Sequence, residues 1–94
     1  MAEYGQRAYS FTGGFGGDML VVTNLNQVIA RLSFDVYFAD REPVKGLTAT
    51  IAPERVTCFD MTKPLADQKY RIPSGIYTIV IHSDIPIVAD IKIV

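Results

Sequence analysis

The sequence predicts an all-β fold: an antiparallel β-sandwich of about seven strands, homo-oligomeric. Three observations carry that expectation. Apolar and polar residues alternate with a period of two, and helix signals are almost absent. Turn-forming residues interrupt the alternation at short intervals. Of the 94 residues, 49% are hydrophobic and only 20% charged. A small domain buries a modest core, so surplus apolar surface is readily explained by a second subunit covering it.

The first strand runs from Arg7 to Thr12, with Ala8 and Ser10 alternating with Tyr9 and Phe11. It ends at Gly13-Gly14-Phe15-Gly16-Gly17, where four glycines lose too much backbone entropy to hold a strand cheaply. The second strand is Asp18 to Thr23, closed by the turn Asn24-Leu25-Asn26-Gln27, since asparagine tolerates left-handed geometry. The third, Ala30 to Phe38, has the clearest pattern. Leu32, Phe34, Val36 and Phe38 share one face, and Arg31, Ser33, Asp35 and Tyr37 share the other.

The polar connection Ala39 to Gly46 contains Pro43, which cannot donate to a ladder. A fourth strand, Leu47 to Ala52, alternates Leu47, Ala49 and Ile51 with Thr48 and Thr50. Pro53-Glu54 is then a tight corner before a fifth strand, Arg55 to Phe59. Asp60 to Pro73 is irregular and is expected to cross between sheets or cover an edge, with Asp60 available to cap one helical turn. The sixth strand, Gly75 to His82, is apolar on both faces, as suits a central strand. Ser83-Asp84-Ile85-Pro86 reads as a turn, and Ile87 to Val94 as a seventh strand needing a partner on each side.

The whole chain, 1–94, forms a single domain on this reading. A net charge of −1 gives no electrostatic footprint for nucleic acid, and none for an anionic membrane surface. The N-terminal residues do not have the form of a signal peptide, and no apolar run approaches the ~20 residues of a membrane-spanning helix. One cysteine, Cys58, makes no internal disulfide, so a cytoplasmic protein is expected.

Candidate chemistry is sparse. No cofactor and no metal are expected, because His82 and Asp84 alone do not make a closed ligand set. His82 reads first as a polar strand-end residue and second as a donor at a ligand rim. Cys58 reads as a small packed hydrophobe; a nucleophile would need a positioned base, and His82 is the sole histidine. The glycine run lacks the Lys-Ser/Thr and helix of a phosphate loop. It is a flexible connection, or else a lid with Phe15 at its tip. Asp40-Arg41-Glu42 is a solvated turn, or else a polar recognition element. No enzyme is expected.

A series of segments resembles one known family. Tyr37-Phe38-Ala39-Asp40-Arg41-Glu42-Pro43-Val44 is similar to the "YxSDKEPV" stretch of the sensory rhodopsin transducer family, the soluble proteins related to the Anabaena transducer. Ala52-Pro53-Glu54-Arg55 resembles its "VPARR" corner, Phe59-Asp60-Met61 its "F-N-D-L" step, and Ile72-Pro73 its "IP". Ile81 to Val88 resembles its "IQSNVPIVVQ" segment, and Leu20 to Asn24 its "VCILN" strand. The resemblance implies a β-sandwich that assembles as a homotetramer. It also implies either a module binding a small molecule, sugars included, or an adaptor docking on the cytoplasmic side of a membrane photoreceptor.

Within that frame Tyr37, Asp40, Arg41, Glu42, Arg55 and His82 are the candidate ligand-binding residues. Arg41 and Arg55 offer planar donor forks, Asp40 and Glu42 accept from hydroxyls, and Tyr37 offers a flat face.

Overall fold

The computed structural model describes residues 5–14 and 18–93. Six strands account for the fold: β1 (Gln6–Gly13), β2 (Asp18–Asn24), β3 (Ala30–Phe38), β4 (Val44–Ile51), β5 (Arg55–Asp60) and β6 (Tyr77–Ile93). Every pairing is antiparallel, and no helix occurs among the described residues. The expected all-β antiparallel class holds; the expected seven strands become six.

The correction lies in β6. The sixth and seventh expected strands are one strand of 17 residues that runs straight through the expected turn at Ser83–Pro86. Its odd-numbered residues keep facing inward, with Pro86 buried beside them where the strand passes from one layer to the other. Tyr77, Ile79 and Ile81 are buried, Ser83 and Ile85 are half-buried, and Ile87 and Ala89 are buried again. The polar groups in between bond to distant segments of the same chain. Asp84 Oδ1 accepts the Arg31 backbone N–H at 2.8 Å, and the Pro86 carbonyl accepts from Asn26 Nδ2 at 2.7 Å. His82 consequently lies inside a strand, between Ala8 of β1 and Ser33 of β3, not at a strand end.

β6 belongs to two layers. Its first half pairs with β1 on one side and β3 on the other, and β4 continues beyond β3. Its second half pairs with β2, and β5 continues beyond β2. The sheet folds on itself so that layer A (β1, β6 first half, β3, β4) faces layer B (β6 second half, β2, β5). Phe34 of layer A meets Phe59 of layer B edge to face at 5.6 Å. Leu20, Val22, Phe34, Val36, Ile51, Ile79, Ile81 and Ile87 form the centre of the shared core.

The stretch after β5 closes the sandwich. Met61, Leu65 and Ile72 drop into the core. The Asp67 N–H donates to the Thr48 carbonyl at 2.7 Å, and Gln68 Oε1 accepts the Thr48 N–H at 2.8 Å, so this segment covers the β4 edge as expected. The helical turn expected at Asp60 is a side-chain-capped turn. Asp60 Oδ1 accepts the Thr62 N–H at 2.9 Å and the Thr62 hydroxyl at 2.6 Å.

Candidate functional site

One end of the sandwich collects the chemistry. There β3 and β6 are paired at Phe38↔Tyr77, β1 ends at Gly13↔Tyr77, and β2 begins at Asp18. Asp18 is 1% exposed, although it is a carboxylate. Its Oδ2 accepts the Gly14 N–H at 2.9 Å and the Tyr77 hydroxyl at 2.9 Å. Burial of a carboxylate is tolerated only when donors replace water, and these two do so, one from the residue that follows β1 and one from β6. Burial first, and the adjoining Asp18 second, hold the Tyr77 hydroxyl well above the usual phenol range. A side chain at Gly13 would collide with Asp18 Oδ2 and would come within 2.7 Å of the Tyr77 hydroxyl, so glycine is the residue that fits.

Above this buried pair, three adjoining hollows share the wall formed by 73–77. One, of about 220 Å³, lies between Phe38, Asp40 and Arg41 and the facing Pro73, Ser74 and Ile76. A second, of about 250 Å³, is lined by Tyr37, Ala39 and Thr78. A third, of about 280 Å³, adds Met61, Thr62 and Arg71. The set forms a rim cleft with aromatic, hydroxyl, carboxylate and guanidinium groups. Arg41 Nε binds Asp40 Oδ1 at 3.2 Å while its guanidinium lies 5.6 Å from the Phe38 ring centre. The hydrogen bond from Arg41, aided by its charge, lowers the Asp40 pKa. Lys45 Nζ stands 5.6 Å from the Tyr37 ring centre. The rim therefore presents ordered donors beside apolar ring edges, with Ile76 63% exposed at its lip.

Of the six candidate residues, the structure brings Tyr37, Asp40 and Arg41 to this cleft. Glu42 is exposed one residue further along the loop and lines none of the three hollows. Arg55 lies at the opposite end, paired with Asn24 and donating from Nη1 to the Glu54 carbonyl at 3.0 Å. The run of β3 from Ala30 to Phe38 separates the two ends by roughly 26 Å. His82 is exposed midway, on the outer face of layer A. Cys58 is exposed on the outer face of layer B, so the sandwich itself stands between the thiol and the imidazole. Among the described residues no group of three or more His, Cys, Asp or Glu could hold a metal, and no helix is long and apolar enough to cross a membrane. The Phe15 lid falls outside the described residues.

Sequence reasoning passed over Asp18 and Asn24. A signal existed: both share the parity of Leu20 and Val22, which places polar groups on a buried face. Asn24 is fully buried at the far end, where Nδ2 donates to the carbonyls of Val28, Ile51 and Ala52 at 2.8–3.3 Å and Oδ1 accepts the Asn26 N–H at 3.0 Å.

The comparisons agree with this architecture. A family model described as Anabaena sensory rhodopsin transducer matches residues 11–93. A solved structure titled "Anabaena sensory rhodopsin transducer" superposes with a TM-score of 0.83 at 20% identity, covering 98% of this chain and 92% of that one. At that identity the likeness is one of fold. No curated protein matches the sequence.

Proposed function

Because the chain belongs to the Anabaena sensory rhodopsin transducer family, we propose that it is a non-catalytic binding module of a signalling assembly, taking a small polar ligand at the rim cleft. The observation that carries this reading is the convergence of Tyr37, Asp40 and Arg41 with Ser74 and Ile76 at one end of the sandwich. Ligand sites of about 300–1,000 Å³ combine apolar walls with a few placed polar groups. Hollows of 220–280 Å³ suit something the size of a single sugar ring, with hydroxyls donating to Asp40 and accepting from Arg41. Self-association, which the family resemblance implies, belongs to the same reading.

The test is a thermal-shift screen of monosaccharides, sugar acids and small metabolites on the wild type and the D40A/R41A double variant. A ligand at a hundred times its Kd stabilises by about 2.7 kcal/mol, which in a domain of this size moves Tm by about 11–22 °C. The wild type is expected to respond and the double variant not to. Equal responses from both, or none from either, would remove the rim cleft as the site.

A second reading draws on the exposed Ile76 at the lip. The solved relative is by its title a transducer of a sensory rhodopsin. On this reading the rim docks on the cytoplasmic face of a membrane receptor, Ile76 is its apolar anchor, and I76E abolishes co-purification with that receptor.

A further inference from the structure

A second hollow lies apart from the rim cleft. It opens between β4 and β5, the strands at the two ends of the sheet path. Its volume is about 330 Å³, and it shares no lining residue with the three rim hollows. Small-molecule sites occupy roughly 300–1,000 Å³, a range the rim hollows taken singly do not reach. Ala49 of β4, Phe59 of β5 and Pro64 give the hollow its apolar surface.

The remaining wall is a hairpin. Leu65 and Tyr70 exchange backbone hydrogen bonds at 2.7 and 2.9 Å. Between them Ala66, at φ 68°, and Lys69, at φ 55°, take left-handed conformations that side chains disfavour. Thr48 of β4 clamps this turn. Its carbonyl accepts the Asp67 N–H at 2.7 Å, and its hydroxyl donates to Asp67 Oδ2 at 3.2 Å while accepting from Gln68 Nε2 at 2.8 Å. The Asp67 carboxylate is thus oriented through one oxygen, and the other oxygen has no partner among the described residues. The Lys69 ammonium lines the same hollow, and among the described residues it has neither a hydrogen bond nor an ion pair, Asp67 included.

A carboxylate and an ammonium thus stand apart from each other beside an apolar surface. A neutral sugar answers neither charge. A simple anion meets Lys69 but is repelled by Asp67. A zwitterion answers both. We propose that this hollow binds a free α-amino acid with an apolar side chain. Its carboxylate lies on Lys69, its ammonium on Asp67, and its side chain against Ala49, Phe59 and Pro64. The site is independent of the rim cleft.

The molecule carries its own reporter. Cys58, the sole cysteine, is exposed and lines this hollow, so an occupant shields its thiol. The test follows alkylation of Cys58 by N-ethylmaleimide, an uncharged reagent, at increasing L-phenylalanine. The amino acid is expected to slow the reaction saturably. N-acetyl-L-phenylalanine and L-phenylalaninamide each lack one charge and are expected to need about fivefold more for half protection, as an exposed ion pair allows. The same shift is expected for L-phenylalanine on K69M and on D67N, with circular dichroism confirming their fold. The half-protecting concentration does not depend on the intrinsic reactivity of the thiol. The D40A/R41A variant is expected to match the wild type. Alkylation indifferent to L-phenylalanine would overturn the site. Equal protection by the singly charged analogues, or protection unchanged in K69M and D67N, would overturn the zwitterion. Protection lost in D40A/R41A would move binding to the rim cleft and overturn this site alone.

Discussion

Replacing Tyr77 by phenylalanine takes one oxygen out of the interior and tests how the buried carboxylate is held. Tyr77 is 3% exposed and donates to Asp18 Oδ2 at 2.9 Å. A hydrogen bond to a charged group contributes about 1.5–3 kcal/mol net, and removing the donor leaves Asp18 with the Gly14 N–H as its remaining named partner. In a domain of this size each kcal/mol shifts Tm by about 4–8 °C, so Y77F is expected to melt about 6–24 °C lower. Total stability of a 94-residue domain is on the order of 5–14 kcal/mol, so the loss is a large fraction of it. The pH dependence adds a second, independent signature. The Tyr77 hydroxyl is raised above its ordinary value of 10.0 by burial and then by Asp18. A raised folded pKa means stability that is fully present below the unfolded value and is lost as pH climbs through the folded one. Above pH 10 the wild type therefore loses stability at this group and Y77F does not, so the gap between them narrows. Urea unfolding at pH 7, 9 and 11 measures it directly. A gap under about 0.5 kcal/mol at pH 7, or one that widens above pH 10, would refute the account of Asp18 as a carboxylate sustained by Tyr77.

Three other substitutions test separate parts of the structure. Gly13→Ala forces a methyl group toward Asp18 Oδ2 and the Tyr77 hydroxyl, and overpacking of that kind costs about 1–3 kcal/mol by urea unfolding. Asn24→Ala strands the Ile51 carbonyl and its neighbours at the far end and is expected to cost about 1–3 kcal/mol, while His82→Ala on the exposed face stays within about 0.5 kcal/mol. The hydrogen bond from the Thr62 hydroxyl, and then the Thr62 N–H, depresses the Asp60 pKa. Its stabilising share is present above the unfolded value of 3.8 and is lost as pH falls through the depressed one. Carboxyl NMR titration should find Asp60 below 3.8 in the wild type and closer to it in T62A.

Much of the architecture could be read from local alternation. Period alone places Leu32, Phe34, Val36 and Phe38 on one face; the first three are buried and Phe38, at the strand end, is half-buried. The corner at Pro53-Glu54 is there, with Glu54 at φ 54°. The failure at Ser83–Pro86 is instructive. Serine, aspartate and proline form turns when their polar groups serve their own backbone. Here Asp84 and the Pro86 carbonyl serve Arg31 and Asn26, more than fifty residues away, and β6 bends between layers without leaving its parity. The candidate site divides along the same line. Tyr37, Asp40 and Arg41 lie together because they are neighbours in sequence at one strand end. Arg55 and His82 share their chemistry but not their location, because pairing puts one at the far end and the other mid-strand.

Alternation tells the two faces of a strand apart without any partner, because it is a property of the extended backbone; where both faces are apolar, as in β6, it does not say which one turns inward. The sequence by itself determined the antiparallel class and the polar loop at the rim. Tertiary structure alone decided the pairing, and with it that β6 joins two layers and that Asp18 is sustained by a tyrosine 59 positions away. Those outcomes depend on buried polar groups finding partners across long chain separations. Such closures are selected by the energy of the whole packed interior, and no short stretch of sequence encodes that.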